Sequence, residues 1–138
     1  MWCPFCRSYI KVWNRFVEPC KEMGGAIFSM CSMSQEAASK EAQDNKVSIP
    51  SVGDPGLSLF TFYGGDFLKA KQLGRSFSMY VETKAYPTKK MAKPAIFVVG
   101  TEGEVLYSWT PAPNRGNFFG NRDRPHPKDI LRMLRDRA

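Results

Sequence analysis

The sequence predicts one α/β domain, and three observations carry that prediction. Helical and strand-like apolar patterns alternate along the chain in the order α-β-α-β-α, a long loop, then β-β-α. The length of 138 residues fits one domain. Hydrophobic residues make up 43% and charged residues 24%, which excludes a disordered chain, a collagen-like fibre and a disulfide-stapled miniprotein. Alternation that ends in a hairpin and a helix implies a sheet covered by helices on both faces.

The elements follow in order. Cys6, Ile10, Trp13, Val17 and Cys20 recur at spacings of four, three, four and three, so residues 4–18 read as an amphipathic helix. Pro4 suits its first turn, and Pro19 with Gly24 and Gly25 should end or kink it. Residues 25–31 have the length and apolarity of a buried strand. Ser34 then opens an Ala-rich helix to about Gln43, with a near capping box. Residues 47–52 read as a short strand interrupted by Pro50. The turn Asp54-Pro55-Gly56 starts a short helix over 57–63, closed by Gly64 and Gly65. Residues 66–93 read as a basic insertion or long loop with a helical piece. Residues 95–99 are the clearest strand; a turn at 101–104 and a strand over 105–110 complete a hairpin. Residues 111–127 form a loop, and residues 128–137 a final amphipathic helix with Ile130, Leu131 and Leu134 on its apolar side.

The net charge is +7, concentrated in two places. Residues 69–93 hold seven basic residues against Glu82 alone, and residues 113–138 hold seven against three. Such stretches are most simply solvated surface, with an acidic protein partner as the functional alternative. Phe67, Phe77 and Tyr80 are interleaved there, but no nucleic-acid-binding signature accompanies them, so a nucleic-acid partner is disfavoured. Apolar runs are too short to span a bilayer, and Arg7, Lys11, Arg15, Glu18 and Lys21 break up any signal-peptide core. A cytoplasmic or organellar (mitochondrial or plastid) matrix location is the expectation. With His126 the single histidine and no second Cys-x-x-Cys, no metal site is predicted, and no cofactor motif is present.

The chemistry-bearing feature is Cys3-Pro4-Phe5-Cys6. A helix N-terminus carries unpaired N–H groups and partial positive charge, which favour a thiolate. Two intervening residues put the second sulfur about one turn away, within disulfide reach, so one thiol can attack and the other resolve a mixed disulfide. Trp2 would shield one side and Arg7 adds a positive charge. The bland reading is a pair of buried thiols or incomplete metal ligands. Cys20 reads as a core residue, Cys31 as a buried thiol or a third redox group, His126 as surface, and Asp54 as a turn residue rather than an acid or base.

These residues support a resemblance. Trp2-Cys3-Pro4-Phe5-Cys6 is similar to the active-site segment of the thioredoxin superfamily. Residues 27–32 with the helix after Ser34, the Val52-Gly53-Asp54-Pro55 segment, Pro94 with the hairpin that follows it, and Arg124-Pro125 with the last helix resemble the peroxiredoxin-like (alkyl hydroperoxide reductase/thiol-specific antioxidant) branch. The resemblance covers nearly the whole chain outside residues 66–92. It implies a thioredoxin-like fold and a thiol-disulfide oxidoreductase or peroxiredoxin-like antioxidant protein. Its substrate would be a disulfide or peroxide, and an external thiol would be its reductant.

The thioredoxin template makes Cys3 the nucleophile and Cys6 the resolving thiol. The peroxiredoxin template makes Cys6 the reacting cysteine, and the choice stays open. Pro94 matches the cis proline that faces the thiols in thioredoxins. The position of the peroxiredoxin arginine near it is proline here, and Arg7 is the candidate substitute. The first core strand of either family would precede Met1, so the fold is expected to lack its usual first strand, through an incomplete N-terminus or a strand supplied elsewhere. The alternative function is a structural or interaction subunit of a larger assembly on the same scaffold.

Overall fold

The structure is a computed structural model describing residues 4–112, 114, 116–117, 120 and 122–137, apart from the side chains of residues 4, 76, 77 and 80. Helices and short strands alternate through it, as the α/β reading requires. The helices are α1 (Pro4–Asn14), α2 (Val17–Glu22), α3 (Gln35–Asp44), α4 (Ser58–Phe62), α5 (Arg75–Val81) and α6 (Pro127–Arg137). The strands are β1 (Ser29–Cys31), β2 (Ser51–Gly53), β3 (Phe67–Lys69), β4 (Lys90–Ala92), β5 (Ile96–Val99) and β6 (Val105–Trp109). No described helix is long and apolar enough to cross a membrane.

The first helix is two helices. Arg15 N donates to Val12 O and Phe16 N to Trp13 O, so α1 tightens and stops ahead of the proline. Pro19 then sits in the first turn of α2, where its missing N–H costs nothing, so it begins a helix rather than ending one. At the start of α3, Ser34 Oγ accepts from Ala37 N at 3.3 Å, the cap expected from the sequence. Asp54 holds α4: its two carboxylate oxygens accept from Ser58 N and Phe60 N, each at 3.0 Å, which makes it a structural cap as read.

The expected single sheet is corrected to three two-stranded ladders among the described residues. β1 and β2 pair in parallel, while β3 with β4 and β5 with β6 pair antiparallel. Brevity is the reason: four of the six strands have only three residues, Pro50 stands immediately before β2, and Pro94 lies two residues before the start of β5. The first ladder is clamped by α3. Gly53 N donates to Gln35 Oε1 at 2.8 Å, and Gln35 Nε2 donates to Ser51 O at 2.9 Å. A Cβ at Gly53 would lie 2.6 Å from Gln35 N, so this approach requires glycine.

The basic stretch at 66–93 is the largest departure. It carries a helical piece as expected, but also a strand pair and a 3₁₀ turn over Ala70–Gln72. It also supplies most of a core cluster in which Met33 meets Ala70, Val81, Tyr86 and Met91. Its lysines conceal this, because Lys69, Lys71, Lys84 and Lys89 point outward while Val81 is fully buried. The charge is a solvated face over a packed interior. Met91→Ala should therefore cost about 2–5 kcal/mol, read as a lower urea midpoint at unchanged slope. A solvated loop would lose almost nothing.

Candidate functional site

Cys6 lies in the first turns of α1, half-buried, and lines a cavity of about 200 Å³. The periodicity read from the sequence places it there, because Cys6, Ile10 and Trp13 turn inward while Arg7, Ser8 and Lys11 face out. Tyr9 and Ile10 of α1, Met30 and Cys31 of β1, and Pro94 and Ile96 share the cavity wall with it. Apolar side chains, including Phe60, Met91 and Trp109, dominate the rest.

Arg124 places a charged group beside Cys6. Its guanidinium donates toward Cys6 Sγ at 3.9 Å and Phe5 O at 3.4 Å. The plane is flanked by two rings, 4.7 Å from the Tyr9 centroid and 5.8 Å from that of Trp109. An arginine between aromatic faces retains its charge and loses rotational freedom, so its donors are aimed. Tyr9 is tied down in turn: its hydroxyl donates to Pro125 O at 2.5 Å, and burial pushes its pKa up to about 12. It is therefore a neutral donor at physiological pH.

A second set of contacts delivers Arg124 to this place. The buried Asn117 accepts from Arg122 N at 3.0 Å and donates to Ala112 O and Asp123. Asp123 also accepts from Ala112 N at 2.7 Å. The Asn117 hydrogen bond, aided by that from Ala112, holds the Asp123 carboxyl below the usual range. The ends of the loop are thus pinned together just before Arg124. On its other side His126 Nδ1 accepts from Lys128 N at 3.2 Å, capping α6. His126 is exposed, as the sequence suggests, and packs edge-on against Phe16.

The other named residues are distributed as follows. Cys3 and Trp2 lie outside the described residues. Pro94 lines the cavity with Cys6, so the expected juxtaposition is present on that side. The cis geometry is corrected: no described peptide bond is cis, so Lys93–Pro94 takes the trans form favoured for most X–Pro bonds. Arg7 extends the other way, its guanidinium 3.9 Å from Glu41 on α3. Cys20 is half-buried on α2, and burial pushes its thiol up. Cys31 reaches the cavity, where burial likewise pushes its thiol up against the lowering effect of a backbone hydrogen bond.

Sequence reading missed Arg124 as a site residue. Arg124-Pro125 entered the sequence reading only as part of the resemblance of the C-terminal element, and no spacing rule links position 124 to position 6. No family model, curated protein or solved structure matches the chain.

Proposed function

We propose that this chain is a thiol-disulfide oxidoreductase or peroxiredoxin-like antioxidant protein on a thioredoxin-like scaffold, with Cys6 as the attacking sulfur and Cys3 as its resolving partner. The observation that carries this reading is the Arg124 guanidinium held against Cys6 Sγ at the wall of an apolar cavity. A cation beside a sulfur favours thiolate over thiol, and it also stabilises negative charge on a departing oxygen or sulfur. Arg124 takes the role for which the sequence suggested Arg7.

The steps balance as follows. With a peroxide ROOH, the thiolate attacks one oxygen, the O–O bond breaks, and the alkoxide leaves to take a proton, giving ROH and a sulfenic acid on Cys6. The Cys3 thiol then displaces hydroxide from that sulfur, forming the Cys3–Cys6 disulfide and water. With a disulfide substrate, the thiolate breaks the S–S bond to form a mixed disulfide. Cys3 then releases the second substrate thiol and leaves the same internal disulfide. In both cases two electrons pass to the substrate, and an external dithiol returns them.

The test is mass spectrometry of the reduced protein after exposure to hydrogen peroxide or a small disulfide. The expected product has lost two hydrogens, with its cross-link mapped to Cys3 and Cys6, and dithiothreitol reverses it. Oxidation confined to Cys20 or Cys31, or no reversible product, would overturn the reading.

A further inference from the structure

Helix α4 buries one side and leaves two large apolar side chains on the other. Phe60 is buried with its ring 5.8 Å from that of Phe97 on β5. Leu59 and Phe62, three residues apart and so on one face, are 40% and 76% exposed. Tyr63 extends the face, its ring 5.1 Å from Phe62 and 6.1 Å from Phe97. Lysines bracket this helix. Lys69 and Lys90 pair across one end of the β3–β4 ladder, and Lys89 is next in the chain. That end is tied to the turn leading into α4, because Thr88 Oγ1 donates to Pro55 O and Lys90 Nζ to Gly56 O at 3.4 Å. At the other end of the ladder Lys93 pairs with Asp66, four residues beyond α4. The acids on these segments are engaged: Asp66 by Lys93, and Asp54 by the Ser58 and Phe60 amides. On the hairpin, Glu102 and Glu104 follow Val99 and bound the face on that side.

We infer that the outer face of α4, with the lysines at both ends of the β3–β4 ladder, docks on the surface of an anionic lipid bilayer, where the chain lies peripherally. Charge complementarity selects the occupant. Residues 69–93 hold seven basic residues against Glu82 alone, so the covering surface must be negative. A second copy of the chain is disfavoured, because a twofold contact through this face would set its lysines against the same lysines. The shape of the apolar part selects lipid. Phe62 stands out from the surface and lines neither of the cavities beside α1. A protruding ring needs a matching pocket in a folded partner, whereas the boundary between headgroups and acyl chains yields around it. Tyrosine suits the same depth, with its ring apolar and its hydroxyl wet. Lysines on flexible stems reach diffuse headgroup phosphates and carboxylates while their methylenes stay along the apolar surface. The inference goes beyond the redox reading and does not depend on it.

The experiment is co-sedimentation of the 138-residue chain with vesicles of phosphatidylcholine alone or with about one-third phosphatidylserine. The chain should bind the mixed vesicles, bind phosphatidylcholine at least about tenfold more weakly, and be released as salt is raised. Phe62→Ser should weaken binding to the mixed vesicles about tenfold, since one large side chain no longer leaves water. Lys69→Gln and Lys89→Gln should each weaken it about fivefold. All three side chains are exposed, so thermal melts of the variants should match the parent. Soluble polyglutamate is the competitor that stands for an acidic protein. No binding to the mixed vesicles, equal binding to both vesicle types, or parent affinity in Phe62→Ser would overturn the proposal. So would binding of polyglutamate that depends on Phe62 and excludes the vesicles, because the face would then belong to an acidic polypeptide.

Discussion

Cys6→Ser is expected to reduce peroxide or disulfide turnover to background, while Cys20→Ser leaves it near the parent rate. A serine oxygen can form neither the sulfenic acid nor the mixed disulfide, so the loss does not depend on how well the site is otherwise preserved. Cys20 lies on α2, outside the residues that line the cavity. Its thiol is pushed up by burial, which keeps it protonated and slow. Cys31 shares the cavity and so is the stricter control. Its sulfur donates toward Val52 O at 3.9 Å, and burial works against its ionisation. Cys31→Ser should therefore retain most of the rate.

Cys3→Ser separates the roles that the sequence left open. If Cys6 attacks, this variant completes one turnover and then stalls as a sulfenic acid or mixed disulfide on Cys6, seen by mass spectrometry. If Cys3 attacks, the variant shows no first turnover. Full activity in both single variants would remove the redox reading altogether.

The contrast between Cys6 and Arg124 shows where sequence reading succeeds. The helical period places Cys6 on the inner face of α1, because the signal and the structure are both local to about ten residues. The Ser34 cap, the Asp54 turn and the late hairpin were legible for the same reason. Pro19 misled because proline near a helix has two meanings. It breaks an interior and suits a first turn, and the tightening of α1 at Arg15 and Phe16 that decides between them carries no composition signal. Residues 66–93 misled for a different reason. Their exposed lysines and their buried Val81, Tyr86 and Met91 alternate over elements of three to seven residues, too short for either period to stand out from the charge. The place of Arg124 beside Cys6 was illegible in kind. It depends on Asn117 and Asp123 pinning a loop and on Tyr9 and Trp109 flanking the guanidinium, all contacts distant in sequence or without a repeat.

That dependence makes Arg124→Gln the second decisive variant. Glutamine keeps a planar donor group but removes the charge, and with it the favourable interaction that the Cys6 sulfur, 3.9 Å from the guanidinium, would gain as a thiolate. Removing one preorganised donor of developing charge lowers rates on the order of 10²-fold, and a loss of that size is expected for the first, sulfur-oxidising step under single-turnover conditions. Removing a neighbouring cation disfavours the anionic sulfur, so the deficit should shrink as pH is raised, whereas misplacement of Cys6 would leave it constant. Arg124→Lys should fall between, because it keeps the charge but loses the flat contact with the Tyr9 and Trp109 rings and the forked donation to Cys6 and Phe5. A structural role alone predicts another pattern: both variants would lower the melting temperature together, and rates per folded molecule would stay at the parent value. Stopped-flow oxidation of the reduced protein across pH, beside a thermal melt of each variant, separates the two. Arg7→Gln is the matched control, since its guanidinium faces Glu41 and the same loss of charge there should leave the rate unchanged.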